Sequence, residues 1–527
     1  MRKLILALVG ALLAVSPAVA QDRVLPAPRV DNSGNLKFQN GPTLGTWSGG
    51  TWKPAGEGSA LAIKPPTGTV TRSLAERATD VIYAVDYGVT CNGPQGTDQT
   101  SAIMAATNAA VALGGRDVVF PPGVCRINTA ISGPSKTRWV SRSGTVFYFH
   151  PTMTSSFNIG GQNRGLVFDG VNDILIDGIT FRGAGSSTLT CAATCPNIYS
   201  TVFRFANNVV IRNSVFEDFG FDTTMGTTYP GLLVFAGSNY LIDNVTIQRT
   251  SGDNLAFSNG TRDVVVRNSR FSLSTADSAL VCSIGGINHT YHNNFVSGTE
   301  GNIAPVIVMD RCSNWTVNNN VIYGANLGQA IRVARYVNTP ETNRDFTISG
   351  NVIQRSHTAI SVESSATTQG SYTEAGGGRF AVTGNTIINP VAIGIAIVDS
   401  EVGTITGNTI SRPPDTGILV TGYAAGVNTG SLTVSGNTIA GAGGAYGIRQ
   451  LAAGGTLTPI SVGTNFVSGM TTPYALANGN SPQTIPYGTP ASSSATCPQS
   501  QIYGMDASYL YLCAGTNALK RVPLSSF

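Results

Sequence analysis

Short runs in which apolar, mostly β-branched residues alternate with small or polar ones recur along residues 174–466, and each run ends in a polar turn. The pattern is clearest at 380–443. There Val-Thr-Gly-Asn-Thr-Ile at 382–387 returns as Ile-Thr-Gly-Asn-Thr-Ile at 405–410 and as Val-Ser-Gly-Asn-Thr-Ile at 434–439. Earlier versions stand at 348–353 and 317–322. Successive Asn positions (Asn294, Asn320, Asn351, Asn385, Asn408, Asn437) are 26, 31, 34, 23 and 29 residues apart. A period in that range marks a solenoid whose coils bury their faces only against neighbouring coils.

One coil reads as three strands, at 394–398, 404–406 and 409–411. Their Ile and Val side chains point inward and stack on counterparts above and below, an interior that suits β-branched residues. Asn408 falls at the bend between the second and third strands. An amide there can bond the turn's backbone and the next coil's amide, so a ladder of side chains is expected. The rise per coil is one strand spacing, about 4.8 Å. The predicted fold is all-β: a right-handed single-stranded parallel β-helix with an N-terminal capping helix and a small C-terminal module.

The chain opens with a basic n-region, an apolar run at 4–15 and Ala-Val-Ala at 18–20, which together make a secretory signal peptide over 1–20. The apolar run is too short for a membrane span, and none follows. Residues 21–80 are rich in Pro, Gly, Ser and Thr and read as a stalk or attachment segment. The β-helix domain is assigned to 81–475 and the C-terminal module to 476–527. Within the domain an Ala-rich helix runs from about Ser101 to Leu113, with Thr97 or Asp98 as cap and Gly114 as stop. It would cover the open N-terminal edge of the solenoid.

Composition narrows the partners. Charged residues are only 11 % of the chain and the net charge is +4 without a basic run, so neither nucleic acid nor an anionic lipid surface is indicated. The eight Cys fall into near pairs, Cys91/Cys125, Cys191/Cys195, Cys282/Cys312 and Cys497/Cys513, which favours disulfides in an exported chain. None has the spacing of a zinc site, and no Ca²⁺-binding nonapeptide array is present, so no metal or cofactor is assigned.

The order Asp-Tyr-Gly at 86–88, Gly-Thr-Asp at 96–98, Ala-rich helix, Gly-Gly at 114–115 and Phe-Pro-Pro-Gly at 120–123 resembles the N-terminal cap of the pectate-lyase-like superfamily. That group includes rhamnogalacturonases, epimerase-like proteins and bacteriophage tailspike depolymerases. The lead-in at 71–77 looks most like the tailspike version, and residues 490–524 are similar to a small module that ends many phage tail proteins. The resemblance covers about 72–527. It implies a polysaccharide substrate or receptor and, through the tailspikes, a homotrimer. The signal peptide departs from the tail-protein pattern, so a secreted or periplasmic enzyme stands beside a virion component. The Asn-x-Asp, paired Asp and Gly-His-Gly series of polygalacturonases is absent.

The candidate site lies where ionisable residues gather around the first strand of successive coils. Asp277, Asp310 and Glu363 are the candidate acid/base residues. Arg332, Arg335, His357, Tyr336 and Asp253 are candidates for substrate binding. Glycoside hydrolysis needs two carboxylates, about 5–5.5 Å apart for retention or about 6.5–9.5 Å for inversion. Neighbouring coils bring either spacing within reach, for example Asp277 with Asp310, or Asp310 with Glu363 two coils on. Such a pair would repel and raise one pKa. A lyase would instead use a base such as Arg332 or His357, with cations to neutralise a uronate. Long segments at 335–345, 364–379 and 422–430 carry Tyr336, Tyr372 and Tyr423, rings suited to stacking on sugars. Three classes fit: a glycan depolymerase (hydrolase or lyase), a non-catalytic glycan-binding adhesin or receptor-binding fibre, and a polyuronate epimerase.

Overall fold

The structure is a computed structural model that describes residues 81–154, 158–159, 162–184, 200–219, 230–274, 278–298, 304–324, 327–334, 344–363, 379–398, 402–422, 432–452, 460–477, 502–505, 508–515 and 518–523, together with the backbone of short strands between 29 and 73. The segment read as a signal peptide lies outside the described residues. The chain divides into two compact units, Met1–Val81 and Ile82–Phe527. The first, read from sequence as a stalk, contains a four-stranded antiparallel sheet (Arg29–Val30, Asn35–Lys37, Thr43–Ser48, Thr51–Pro54) and a two-stranded one (Ala62–Ile63, Arg72–Ser73).

The second unit is a parallel β-helix. A representative coil contributes Thr358–Glu363 to a first sheet, A, Arg379–Thr383 to a second, B, and Thr386–Ile388 to a third, C. The next coil contributes Ile393–Val398, Val402–Thr406 and Thr409–Ser411. Each strand pairs in parallel with its counterpart one coil on, as in Ile360↔Ile395, Val382↔Ile405 and Ile387↔Ile410. Coils run from Asp117–Phe120 to Phe466–Ala475, several turns earlier than the repeat motif announces.

Inward positions align coil after coil. Leu280, Ile307, Ile331, Ile360, Ile395, Ile418 and Ile448 form one fully buried column inside sheet A. Burying each such side chain is worth about 1.5–3 kcal/mol. Trp315 and Tyr240 lie in the core of sheet B as their inward register requires. The Trp315 ring stacks on Phe346 at 4.3 Å, and Phe346 stacks on Phe380 at 5.4 Å.

The repeated Gly-Asn pair has a separate reason for each residue. Gly384, Gly407 and Gly436 turn the chain from sheet B to sheet C with φ of +63°, +66° and +66°, a conformation that a Cβ disfavours. The Asn that follows points inward and joins a buried ladder. Asn408 Oδ1 accepts from the backbone N–H (3.0 Å) and Nδ2 (2.9 Å) of Asn385, while its own Nδ2 donates to Asn437 Oδ1 and to the Val382 carbonyl, both at 2.9 Å. The same links join Asn294, Asn320, Asn351, Asn385, Asn408, Asn437 and Asn465. Ser269 continues the ladder toward the N-terminus, its N–H donating to Asn294 Oδ1. Asn408→Ala removes this partner from two buried donors of Asn385, and is expected to destabilise the fold by about 1–3 kcal/mol in denaturant unfolding. An unchanged midpoint would show that the ladder is not needed for stability.

Helix α1 (Thr100–Ala112) packs Ile103, Ala106, Thr107 and Ala110 inward against the first coils, and Thr107 Oγ1 accepts a hydrogen bond from Trp139 Nε1 at 2.9 Å. The side chain of Asp98 does bond the helix start, accepting from the Thr100 N–H at 3.1 Å, although Gln99 occupies the cap position. Near the other end of the unit, Ile502–Met505, Tyr509–Gly515 and Ala518–Pro523 form an antiparallel sheet. Two of the four expected cysteine pairs are bonded, Cys91–Cys125 and Cys282–Cys312. Cys191, Cys195 and Cys497 lie outside the described residues. Reductant is therefore expected to lower the melting temperature by a few degrees, and an unchanged melting curve in full reduction would show that neither bridge bears on stability.

Candidate functional site

Sheet A carries the candidate residues. In register, Phe235, Ser258, Ser283, Asp310, Ala334 and Glu363 occupy one outward column, one residue per coil. Phe235 pairs with Ser258, and Ser283 with Asp310. Asp310 then pairs with Ala334, and Val333 with Val362. Ser258 and Ser283 are joined through their hydroxyls at 3.3 Å. The last pairing sets Glu363 over Ala334. Asp310 and Glu363 are thus stacked two coils apart, with about 9–10 Å between their backbones. The residue between them, Ala334, carries only a methyl group.

Each carboxylate has its own guanidinium. Asp310, only 3 % exposed, accepts from Arg311 Nη2 at 3.0 Å and Nε at 3.2 Å. Arg311 occupies the turn that leaves the strand, with φ +56°. The adjoining Cys312 is tied by its disulfide to Cys282 on the preceding coil, which anchors this turn. Glu363 accepts from Arg332 Nε at 3.1 Å, from Gln329 Nε2 at 3.2 Å and from the Ser361 hydroxyl. Arg332 and Ser361 are neighbours in the adjacent outward column. An arginine that donates to a carboxylate in this way is a cationic partner, not a free base.

Other sequence candidates stand apart. His357 is an exposed turn residue at the start of the strand Thr358–Glu363, opposite the end that carries Glu363, and its backbone bonds the Gly328 carbonyl. Six residues of strand separate the two ends by roughly 17–20 Å. Asp253 lies at the same entrance edge, and its carboxylate accepts the Ser278 N–H at 3.1 Å, a turn-closing contact. Asp277, Arg335, Tyr336, Tyr372 and Tyr423 lie outside the described residues.

Sequence reading missed Phe235 in this column and Phe205, which follows Arg204, the register partner of Phe235 one coil earlier. Phe205 is 53 % exposed and has φ +52°, an unusual combination for a bulky side chain. Its ring meets Phe235 edge to face at 6.2 Å, and the Arg204 guanidinium lies 5.7 Å from its centroid. No motif marks these residues. Only the alignment of Phe235 with Asp310 and Glu363 does.

With this geometry in place, the comparisons agree on the class of protein. The family model described as "Right handed beta helix region" matches residues 305–458. No curated protein matches the chain in sequence. Among solved structures, the catalytic unit of a thermostable α-1,3-glucanase from Streptomyces thermodiastaticus is similar, at 19 % identity and a TM-score of 0.57, over 80 % of this chain and 72 % of that one. The tailspike protein of E. coli bacteriophage HK620, in a double mutant bound to a pentasaccharide, is similar at 14 % identity and a TM-score of 0.52, over 79 % and 82 %. The chain is a right-handed parallel β-helix protein, the fold that this glucanase and this tailspike share.

Proposed function

We propose that the protein is a polysaccharide depolymerase that hydrolyses a glycan lying along sheet A, with Asp310 and Glu363 as the acid/base pair. The observation that carries this reading is their stacking in one outward column, two coils apart across Ala334. From backbones about 9–10 Å apart, a modest lean of the two side chains toward each other would bring the carboxylates into the 6.5–9.5 Å range of inverting enzymes. Hydrolysis is favoured over elimination because Arg332 is committed to Glu363 and His357 is at the far end of the strand. Arg332 and Arg311 orient the two carboxylates. Phe235, three coils before Asp310, and Phe205 beside it supply a ring-stacking platform about 14 Å along the same column. A glucanase and a pentasaccharide-bound tailspike on the same fold are consistent with a glycan ligand. Export through residues 1–20, a bacterial surface or matrix glycan as substrate, and a trimeric assembly belong to the same proposal.

The test is incubation with a panel of capsular and matrix polysaccharides, followed by reducing-end assay and NMR of the first-formed anomer. Chain shortening with inverted configuration is the expected result. An unsaturated product would make the protein a lyase, altered sugar stereochemistry without shortening an epimerase, and binding alone an adhesin.

A further inference from the structure

Sheet C carries a second concentration of ionisable side chains, in the early coils and away from Asp310 and Glu363. Arg126, Tyr148, Arg182, Glu217 and Gln248 follow one another in a single outward column, one per coil. The distribution of charge along this column is uneven. At its later end the charges are matched: Glu217 accepts from Arg182 at 2.8 Å, Arg249 at 2.7 Å and Gln248 at 3.0 Å, while Arg249 also pairs with Asp218. Burial would raise the Glu217 pKa, but the donors Arg182 and Gln248 and the charges of Arg182 and Arg249 together hold it below the usual carboxylate range.

At the earlier end one cation, Arg126, is unmatched. Arg126 is partly buried and its contacts are neutral: Asn128 Oδ1 at 2.8 Å, the Gly96 carbonyl at 3.4 Å and His150 Nδ1 at 3.5 Å. Among the described residues no carboxylate pairs with it. The nearest in register, Asp98, spends its Oδ1 on the Thr100 N–H, the Thr100 hydroxyl and the Asn128 N–H. Tyr148 lies between Arg126 and Arg182, and the His150 ring meets it edge-on at 6.2 Å. Burial raises the Tyr148 pKa against the pull of both arginines, and burial together with Arg126 lowers that of His150, so both stay neutral hydrogen-bonding groups near neutral pH.

We propose that Arg126, Tyr148, His150 and Arg182 form a binding site for the anionic group, carboxylate or sulfate, of an acidic sugar. The Arg126 guanidinium, without a carboxylate, offers charge-assisted donors, the neutral Tyr148 phenol beside it offers a ring face, and Arg182, which also holds Glu217, adds positive charge on the far side. A partly buried guanidinium with only neutral partners gains most from such an anion. The site is on a different sheet from the proposed hydrolytic pair, so it can bind whether or not that pair is catalytic.

Calorimetric titration of the full-length protein with an oligogalacturonide, its methyl ester and a sulfated carrageenan oligosaccharide tests the proposal. The acid form of one anionic glycan is expected to bind. Methyl esterification, or Arg126→Gln with an unchanged melting temperature, is expected to weaken oligogalacturonide binding by about tenfold or more. Binding of the carrageenan alone, sensitive to Arg126→Gln, would assign the anion as sulfate. Binding that survives Arg126→Gln unchanged, equal binding of acid and ester, or no binding of either anionic glycan would overturn it. Glu363→Gln serves as the discriminating control: it is expected to leave this affinity intact while strongly lowering any cleavage.

Discussion

Glu363→Gln and Asp310→Asn are each expected to lower turnover of the cleaved polysaccharide by about 10²–10⁴-fold, the share of a rate that general acid–base catalysis supplies. Both replacements keep the size of the side chain and one carbonyl oxygen, so Arg332 and Arg311 retain an acceptor. What is lost is the capacity to carry a proton to or from the substrate. The buried Asp310 is the more hazardous replacement for folding, because neutralising it leaves the Arg311 charge without its counter-ion at a site only 3 % exposed. Melting temperature must therefore be measured alongside turnover, and Glu363→Gln, at a more exposed position, gives the cleaner kinetic result. Full activity in both folded variants would move the chemistry off sheet A.

Acidification from pH 7 to pH 4 is expected to cost the folded state about 3 kcal/mol through one residue, His289. Its ring is fully buried in sheet B. Nε2 donates to the Thr261 carbonyl at 3.0 Å, and Nδ1 accepts from the Tyr291 hydroxyl at 3.0 Å. The neutral tautomer satisfies both contacts, and a second proton on Nδ1 would face a donor. Burial lowers its pKa to about 4, against the partial opposition of the Thr261 hydrogen bond and the Asp263 charge. Unfolded, the same ring titrates near 6.5. Below that pH the unfolded chain takes up a proton that the folded chain refuses, so stability is fully present above pH 6.5 and falls as pH drops toward 4. The pKa difference sets the size, at about 1.4 kcal/mol per unit. Unfolding midpoints across this window should fall steeply in the parent and more gently in His289→Gln. Parallel pH profiles for the two proteins would exclude His289 as the cause.

Much of the solenoid is legible in the chain itself, because a parallel β-helix makes each coil repeat the demands of its neighbour. A φ-positive turn asks for Gly, the buried ladder position after it asks for Asn, and the strand beyond asks for Ile, so the phrase recurs wherever a coil is regular. The early coils escaped that reading for a stated reason. At the same turns they place Asn213, Asn244 and Asn268 in the left-handed conformation, followed by Ser214, Val245 and Ser269, so the turn is kept without spelling the motif and the serine hydroxyls accept the N–H groups of Ile179 and Val245.

The sequence by itself therefore determined the coil and its three strands, and it named as near pairs the two cysteine couples that are bonded. The tertiary structure alone decided which side chains share a column. Coil lengths of 23 to 34 residues vary through their turns, so the distance along the chain between two residues does not say whether they stack. Asp310 meets Ala334 and then Glu363 only because the strands pair in parallel at a fixed register, while His357, six residues before Glu363, is carried to the other edge of the sheet. The Arg126–Tyr148–Arg182 row is assembled the same way, from three coils that share no motif. Parallel pairing, not proximity in sequence, makes neighbours of its charges.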